Sequence, residues 1–180
     1  FIMVAPDHGD SLLERLPAVR GRYKANADLA KVTWFRAGGP AEVTFRPADL
    51  NDLVDFLRAK PPKIDITVIG VGSNVLVRDG GIDGVVIRLG RGFAGIEPDI
   101  AAATVRCGAA ALDVNVAEVA CESGIAGLEF LIGIPGTIGG ALRMNAGAYG
   151  REFKDLLIEA EAVDPLGRVH RLVVDEMAMG

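Results

Sequence analysis

One stretch, ITVIGVGSNVLVRD at residues 66–79, constrains the fold of this chain more than any other. Its first four residues are β-branched, which is typical of a buried strand. They run into Gly70-Val71-Gly72-Ser73-Asn74, where glycine lets the backbone take positive φ values and approach a ligand closely. Successive N–H groups in such a turn can form an anion-binding concavity. Because Val75 to Val77 is a second apolar run, the stretch is equally compatible with a tight turn between two core strands.

Two common nucleotide-binding motifs do not fit this stretch. A Rossmann fingerprint needs a third glycine at the sixth position, followed by a helix, but the sixth position here is Val75. A Walker A loop needs Gly-Lys-Ser/Thr, which the stretch lacks. If the turn binds a phosphate, the sequence therefore predicts that it does so between two strands.

The composition excludes several classes of protein. With 180 residues, half of them hydrophobic, the chain can bury a core as one domain or as two small lobes. A net charge of −5 and 6% aromatic residues argue against nucleic-acid partners. The two cysteines, Cys107 and Cys121, lack a metal-binding spacing and are expected to be reduced thiols. The histidines, His8 and His170, are isolated, so no metal site is expected.

Nothing in the sequence has the length of a membrane span or the pattern of a signal peptide, so we expect a cytoplasmic protein without a membrane partner. The chain begins with Phe1 and stops at Gly180 without a helix cap. We therefore expect it to be a piece of a longer protein.

Hydrophobic periodicity predicts a mixture of helices and strands along the chain. The helices are expected at 11–16, from Asp49 with an apolar face of Leu50, Leu53, Val54 and Leu57, and at 112–123 before Gly124. The strands are expected at 41–46, 84–89, 93–97, 104–107, 154–163 and 168–174, the last two joined by an Asp164–Gly167 turn. Trp34, the single tryptophan, is predicted to pack in the core rather than to contact a cofactor.

A second glycine-rich region covers residues 127–150, read as GLEFLIGIPGTIGGALRMNAGAYG. We expect a short helix at 128–132, a glycine loop at 133–140 and a helix starting near Gly140, whose N-terminus would suit an anion. Glycine adds no side chain to a core and costs entropy, so core packing explains this density poorly. Two glycine loops in one chain favour a large, phosphate-bearing cofactor.

Four motifs in order resemble one enzyme family. They are Thr33-Trp34-Phe35-x-x-Gly38-Gly39-Pro40-Ala41, Gly70-x-Gly72-Ser73-Asn74-x-Leu76, residues 133–141 and residues 144–150. Together they resemble the UDP-N-acetylenolpyruvoylglucosamine reductases, flavoenzymes of bacterial peptidoglycan precursor synthesis. The resemblance runs from about Ala30 to the end of the chain, and the uninterrupted 145–150 loop is similar to the branch with the shorter substrate-binding region.

The resemblance implies an α+β fold of the PCMH or vanillyl-alcohol-oxidase type. It divides the chain into an N-terminal segment (1–30), a small βαβ lobe (31–90) and a larger α+β lobe (91–180), with non-covalent FAD between the lobes. It also implies twelve cofactor-binding residues: Gly70, Gly72, Ser73 and Asn74 at the pyrophosphate, and Ile134, Pro135, Gly136, Gly139, Gly140, Asn145, Gly147 and Ala148 on the other side.

The chemistry implied by the resemblance is NADPH-dependent reduction of UDP-N-acetylglucosamine enolpyruvate to UDP-N-acetylmuramate, with no obligate protein partner. In the family a Tyr-Arg pair, a serine and a glutamate act on the substrate, and they lie beyond the part matched here. The chain therefore carries none of the catalytic residues, lacks the C-terminal substrate-binding domain and is expected to be inactive alone. Arg143, Tyr149, Ser123 and Glu129 are not proposed as substitutes.

The alternative is another PCMH-type flavin oxidoreductase. Many of those attach FAD covalently through a histidine or cysteine. No histidine lies near a glycine loop, and the contexts of Cys107 and Cys121 are wrong for attachment. Flavin mass retained after denaturation would favour this alternative.

Overall fold

A computed structural model describes residues 11–177. Residues 1–10 and 178–180 lie outside the described residues. They include His8, the start of the predicted N-terminal segment and the end of the predicted larger lobe. The helices are α1 (Leu12–Arg15), α2 (Leu50–Ala59), α3 (Asp113–Glu122) and α4 (Ile138–Arg143). The strands are β1 (Arg22–Asp28), β2 (Pro40–Arg46), β3 (Ile66–Val68), β4 (Ile82–Ile87), β5 (Ile96–Asp99), β6 (Thr104–Cys107), β7 (Gly147–Ala148), β8 (Arg151–Glu152), β9 (Glu159–Val163) and β10 (Val169–Val173).

A four-stranded sheet in the order β1-β2-β4-β3 forms the first half of the chain. β1 is antiparallel to β2, whereas β2, β4 and β3 are parallel to one another. Helix α2 connects β2 to β3, and its apolar face packs on one side of the sheet, as predicted. This core consists of Val43, Phe45, Leu53, Phe56, Leu57, Ile64, Val85 and Ile87.

Two aspartates fix the start of α2. The Asp49 side chain accepts the Asp52 N–H at 3.0 Å, which is the capping bond expected of an N-terminal aspartate. The buried Asp52 carboxylate accepts the N–H groups of Arg20, Gly21 and Ala48 at 2.7–2.9 Å. Asp52 thereby connects α2 both to the residues that precede β1 and to a residue that follows the end of β2.

A second core gathers residues from α3, α4 and the turns around them. Its members are Ala111, Val116, Ala117, Phe130, Leu131, Ile134, Ile138, Ala141 and Phe153. Strands β5 and β6 form the predicted hairpin, and α3 ends before Gly124, whose φ of +70° suits the predicted C-terminal glycine. No helix among residues 11–177 is long and apolar enough to cross a membrane.

The division into lobes at residues 30 and 90 stays a prediction. Strand β1 belongs to the same sheet as β2, although all of it precedes residue 31. The turn joining β9 to β10 returns to α2, since a Cβ on Gly167 would lie 2.8 Å from the Val54 carbonyl oxygen.

Several local predictions are wrong. Val75 to Val77 is not a strand, and β3 is an edge strand in which Val68 is 65% exposed rather than buried. Trp34 is 60% exposed instead of packed in the core. Each error has the same physical origin, because the predictions rest on local pattern while exposure depends on which distant segments pack nearby.

Candidate functional site

The first glycine turn leaves β3 at residue 70 and exposes its backbone. Within the described residues, none of the N–H groups of residues 70–74 donates to a backbone carbonyl. The turn is fixed through Gly72 instead, whose carbonyl accepts the Trp34 N–H at 3.0 Å. Gly72 has a φ of +71°, and a Cβ there would lie 2.9 Å from the Val32 carbonyl oxygen. Glycine is thus required both for conformation and for space, and the turn presents a row of N–H groups that suits an anion.

The second glycine loop follows a 3₁₀ turn at Glu129–Gly133 and leads into α4. Ile134, Pro135 and Gly136 form the loop itself, whereas Gly139 and Gly140 lie in the first turn of α4. Two of the N–H groups at the N-terminus of this helix are not free for the expected anion, and binding of an anion there stays a prediction. The N–H groups of Ile138 and Gly139 donate to the carbonyls of Ala111 and Ala109 at 3.0 and 2.9 Å, so backbone acceptors already occupy them.

The two glycine loops face each other. A Cβ on Gly70 would lie 2.8 Å from Oγ1 of Thr137, the residue that precedes α4. A Cβ on Gly136 would lie 3.9 Å from Oγ of Ser73. Farther along, the Asn74 amide lies 3.5 Å from the sulfur of Met144. These contacts bring the predicted residues of the first loop and those of residues 134–140 together as two adjoining walls, and their role in binding a cofactor stays a prediction.

Asn145, Gly147 and Ala148 belong to the second wall. The Asn145 amide nitrogen donates to Glu152 at 2.8 Å, and its oxygen accepts the Lys154 N–H at 3.0 Å. Both polar groups of Asn145 thus hold the β7–β8 hairpin together. Ala148 packs on the turn before the second loop, where a Cβ on Gly133 would lie 2.9 Å from the Ala148 Cβ. Their assignment as cofactor-binding residues stays a prediction.

Asp113 is a buried carboxyl that the sequence did not reveal. It opens α3 and is completely buried, and neither carboxylate oxygen has a hydrogen-bond partner within residues 11–177. A Cβ on Gly136 would lie 2.9 Å from its Oδ2, so the carboxyl borders the second loop. Burial raises the pKa of Asp113 to about 6. An aspartate at a helix start is normally a cap, so the sequence carries no signal of this environment.

Two exposed aromatic side chains adjoin the first loop. Trp34 and Phe35 are 60% and 65% exposed, and the backbone of Trp34 is bonded to Gly72. Exposed aromatics beside a ligand-binding turn are suited to contact a ligand or another segment of protein. The aromatic pair in the Thr33-Trp34-Phe35 motif is visible in the sequence, but the sequence does not show that Trp34 is exposed beside the turn.

The backbone and side-chain groups at this site are suited to binding a ligand. Within the described part of the chain, no group of three His, Cys, Asp or Glu residues could hold a metal ion. What the site offers is unbonded N–H groups, small residues on both walls and a buried acid. Such a set fits a flat, anionic dinucleotide held mostly by backbone.

The fold and the site define the class of this protein. The sequence profile of the FAD binding domain family matches residues 41–173. The chain therefore belongs to that family, and the predicted α+β fold of the PCMH or vanillyl-alcohol-oxidase type is confirmed.

Curated relatives point to a particular enzyme within that class. The UDP-N-acetylenolpyruvoylglucosamine reductase of Parvibaculum lavamentivorans is 59% identical over 97% of this chain and 56% of the relative. The enzyme of that name from Rhodospirillum rubrum is 58% identical over 97% of this chain and 54% of the relative. These relatives confirm the resemblance drawn from the four motifs. The chain spans about half the length of the curated relatives it matches.

Solved structures agree with the assignment of the fold. The UDP-N-acetylenolpyruvylglucosamine reductase (MurB) from Thermus caldophilus superposes with a TM-score of 0.71 at 31% identity, covering 88% of this chain and 54% of that one. A 6-hydroxy-D-nicotine oxidase from Arthrobacter nicotinovorans has a TM-score of 0.67 at 22% identity, covering 88% of this chain and 37% of that one. The second likeness bears on the fold alone.

Proposed function

We propose that this chain is the FAD-binding part of a cytoplasmic, NADPH-dependent UDP-N-acetylenolpyruvoylglucosamine reductase. The reaction would convert UDP-N-acetylglucosamine enolpyruvate to UDP-N-acetylmuramate for peptidoglycan, and so would serve cell-wall synthesis, cell shape and cell division. The relatives that carry this name support the proposal, since they share more than half of the residues over almost the whole chain.

The observation that carries the proposal is the meeting of the two glycine loops. One wall offers the N–H groups of residues 70–74, which no backbone acceptor occupies within residues 11–177. The adjoining wall offers Ile134, Pro135 and Gly136, where a side chain on Gly136 would meet Asp113 and Ser73. A pyrophosphate fits the first wall because backbone N–H donors can stabilise it. A flat ring system can approach the backbone closely beside small residues such as these.

The residues of this chain bind and orient the cofactor, while bound FAD supplies hydride transfer between the nicotinamide and the enolpyruvyl double bond. Gly70 and Gly72 keep the first turn open, and Ser73 adds a hydroxyl at its edge. The apolar side chains of Ile134 and Ile138 are buried in the second core and hold the opposite wall rigid. Protonation of the substrate is left to residues outside this chain, consistent with the expectation that it carries no catalytic group.

An assay on the full-length protein that contains this chain tests the proposal. We expect a yellow protein that releases FAD on denaturation and oxidises NADPH only when UDP-N-acetylglucosamine enolpyruvate is added. Mass spectrometry of the denatured protein should show no flavin attached to Cys107 or Cys121. A folded protein with no flavin absorbance after FAD titration would refute the assignment, and so would flavin retained covalently. Substrate reduction by residues 1–180 alone would contradict the inference that the catalytic groups lie elsewhere.

A further inference from the structure

Three arginines stand in one row across the four-stranded sheet. Arg22 of β1 is the register partner of Arg46 of β2. On the other side of β2, Ile87 of β4 is the partner of Phe45, and the N–H of the following Arg88 donates to the Phe45 carbonyl at 2.9 Å. Arg22, Arg46 and Arg88 therefore occupy equivalent positions on three neighbouring strands. Since side chains alternate between faces along a strand, all three lie on the face opposite α2.

The row ends at the first glycine turn. Ile87 is also the partner of Val68 in β3, and the N–H of the next residue, Ile69, donates to the Ile87 carbonyl at 3.0 Å. Ile69 is thus next to Arg88 in the row, and Gly70 follows it directly. With strands about 4.8 Å apart, Arg88 lies one strand from the start of the turn and Arg46 lies two strands away.

No carboxylate neutralises these three side chains in the described part of the chain. None of the ion pairs among residues 11–177 involves Arg22, Arg46 or Arg88. Arg88 is half-buried, and its Nε is buried without a hydrogen-bond partner among those residues. Burial and the charge of Arg46 both lower the pKa of Arg88. Like charges on neighbouring strands are destabilising, and an unpaired buried guanidinium donor is costly, in a chain whose net charge is −5.

The geometry points to a phosphate-binding site formed by Arg22, Arg46 and Arg88, continuous with the anion cradle of the first glycine turn. Guanidinium groups match phosphate oxygens with paired hydrogen bonds. The ligand class is a nucleotide phosphate, which can come from the FAD pyrophosphate or from a second nucleotide bound beside it. This inference rests on the proposed FAD site and extends it by three side chains that the proposed function does not use.

Charge-removing variants of the full-length protein test the site. Arg22→Gln and Arg46→Gln change exposed side chains and should fold normally. Arg106→Gln changes an exposed side chain of β6 outside the row and removes the same charge, so it is the matched control. The FAD dissociation constant is measured by quenching of flavin fluorescence, and binding of inorganic pyrophosphate to the FAD-loaded protein by calorimetry, both at low and high salt. Circular dichroism confirms that each variant is folded.

Arg22→Gln and Arg46→Gln are each expected to weaken the binding of FAD or of pyrophosphate by about 10- to 100-fold at low salt. The loss should be smaller at high salt. Weaker FAD binding alone would identify the cofactor pyrophosphate as the ligand. Weaker pyrophosphate binding to the FAD-loaded protein, with FAD affinity unchanged, would identify a second nucleotide. The inference is overturned if both affinities match the wild type, or if Arg106→Gln weakens them equally. It is also overturned if a structure of the full-length protein shows carboxylates of its own chain paired with the three arginines.

Because the readouts are binding constants, failure of this inference and failure of the proposed function are separable. If the protein reduces the enolpyruvyl substrate but all variants bind FAD and pyrophosphate equally well, the arginine site is refuted and the proposed function stands. If the protein lacks this activity but the Arg22 and Arg46 variants bind phosphate more weakly, the proposed function is refuted and the arginine site stands.

Discussion

Replacing Asp113 by asparagine should remove a pH dependence of stability that this residue creates. The Asp113 carboxyl is completely buried without a hydrogen-bond partner in the described region, and burial raises its pKa from the usual 3.8 to about 6. Between those two pKa values the folded chain holds a proton that the unfolded chain has released. The free energy of unfolding therefore falls as the pH rises from about 4 to about 6, and stays lower above that range.

The size of the effect follows from the two pKa values. Their separation corresponds to about 3 kcal/mol of folding free energy that ionised Asp113 removes at neutral pH. An asparagine side chain cannot ionise, but it keeps the shape and the buried polar atoms of the protonated carboxyl. We therefore expect Asp113→Asn to match the wild type near pH 4 and to exceed it by up to about 3 kcal/mol at pH 7.5.

Urea unfolding followed by circular dichroism, at closely spaced pH values from 4 to 8, measures this difference. The exposed Asp83, changed to asparagine, serves as the control, and its curve should run parallel to the wild type. The reasoning fails if the curves of Asp113→Asn and the wild type are parallel over the whole range, or if the variant is less stable at pH 7.5. Either result would mean that the carboxylate has a partner that stabilises its charge.

Three further substitutions test the account of the fold, with urea unfolding as the measurement in each case. Phe45→Ala empties the centre of the sheet–helix core, where Phe45 is fully buried, and should cost about 3–5 kcal/mol; a cost below about 1 kcal/mol would contradict that packing. Asp52→Ala leaves three backbone N–H groups without their acceptor and should cost about 3 kcal/mol, whereas the exposed Asp55→Ala on the same helix should change little. Arg171→Gln removes an exposed ion pair with Glu159 and should leave the unfolding midpoint unchanged; a clear loss would show that this pair stabilises the β9–β10 hairpin.

The helices and hairpins could be predicted because their signals are local. The N-terminus of α2 follows from Asp49 and its apolar spacing, and the end of α3 follows from Gly124, whose positive φ few other residues tolerate. The glycine loops could be located for the same reason, since a density of glycine beyond what a core uses indicates close approach of backbone to a ligand.

The remaining features depend on contacts between distant segments. Val75 to Val77 has the composition of a strand but pairs with no strand; Val77 is buried beside Ile69 and Val86 while Leu76 is 73% exposed. Composition cannot reveal whether a hydrogen-bonding neighbour is available. For the same reason the sequence could not show that Ala109 and Ala111 occupy the N-terminus of α4, or that Asp113 is buried against Gly136.

The most direct test of the cofactor site compares two glycines in the full-length protein. A side chain on Gly70 would press on the second loop, with its Cβ 2.8 Å from Oγ1 of Thr137, whereas a Cβ on Gly80 meets nothing within 4 Å. We expect Gly70→Val to raise the FAD dissociation constant at least about tenfold and Gly80→Val to leave it unchanged, with both variants folded. FAD affinity equal to that of the wild type in Gly70→Val would contradict the proposal that FAD binds where residues 70–74 meet residues 134–140.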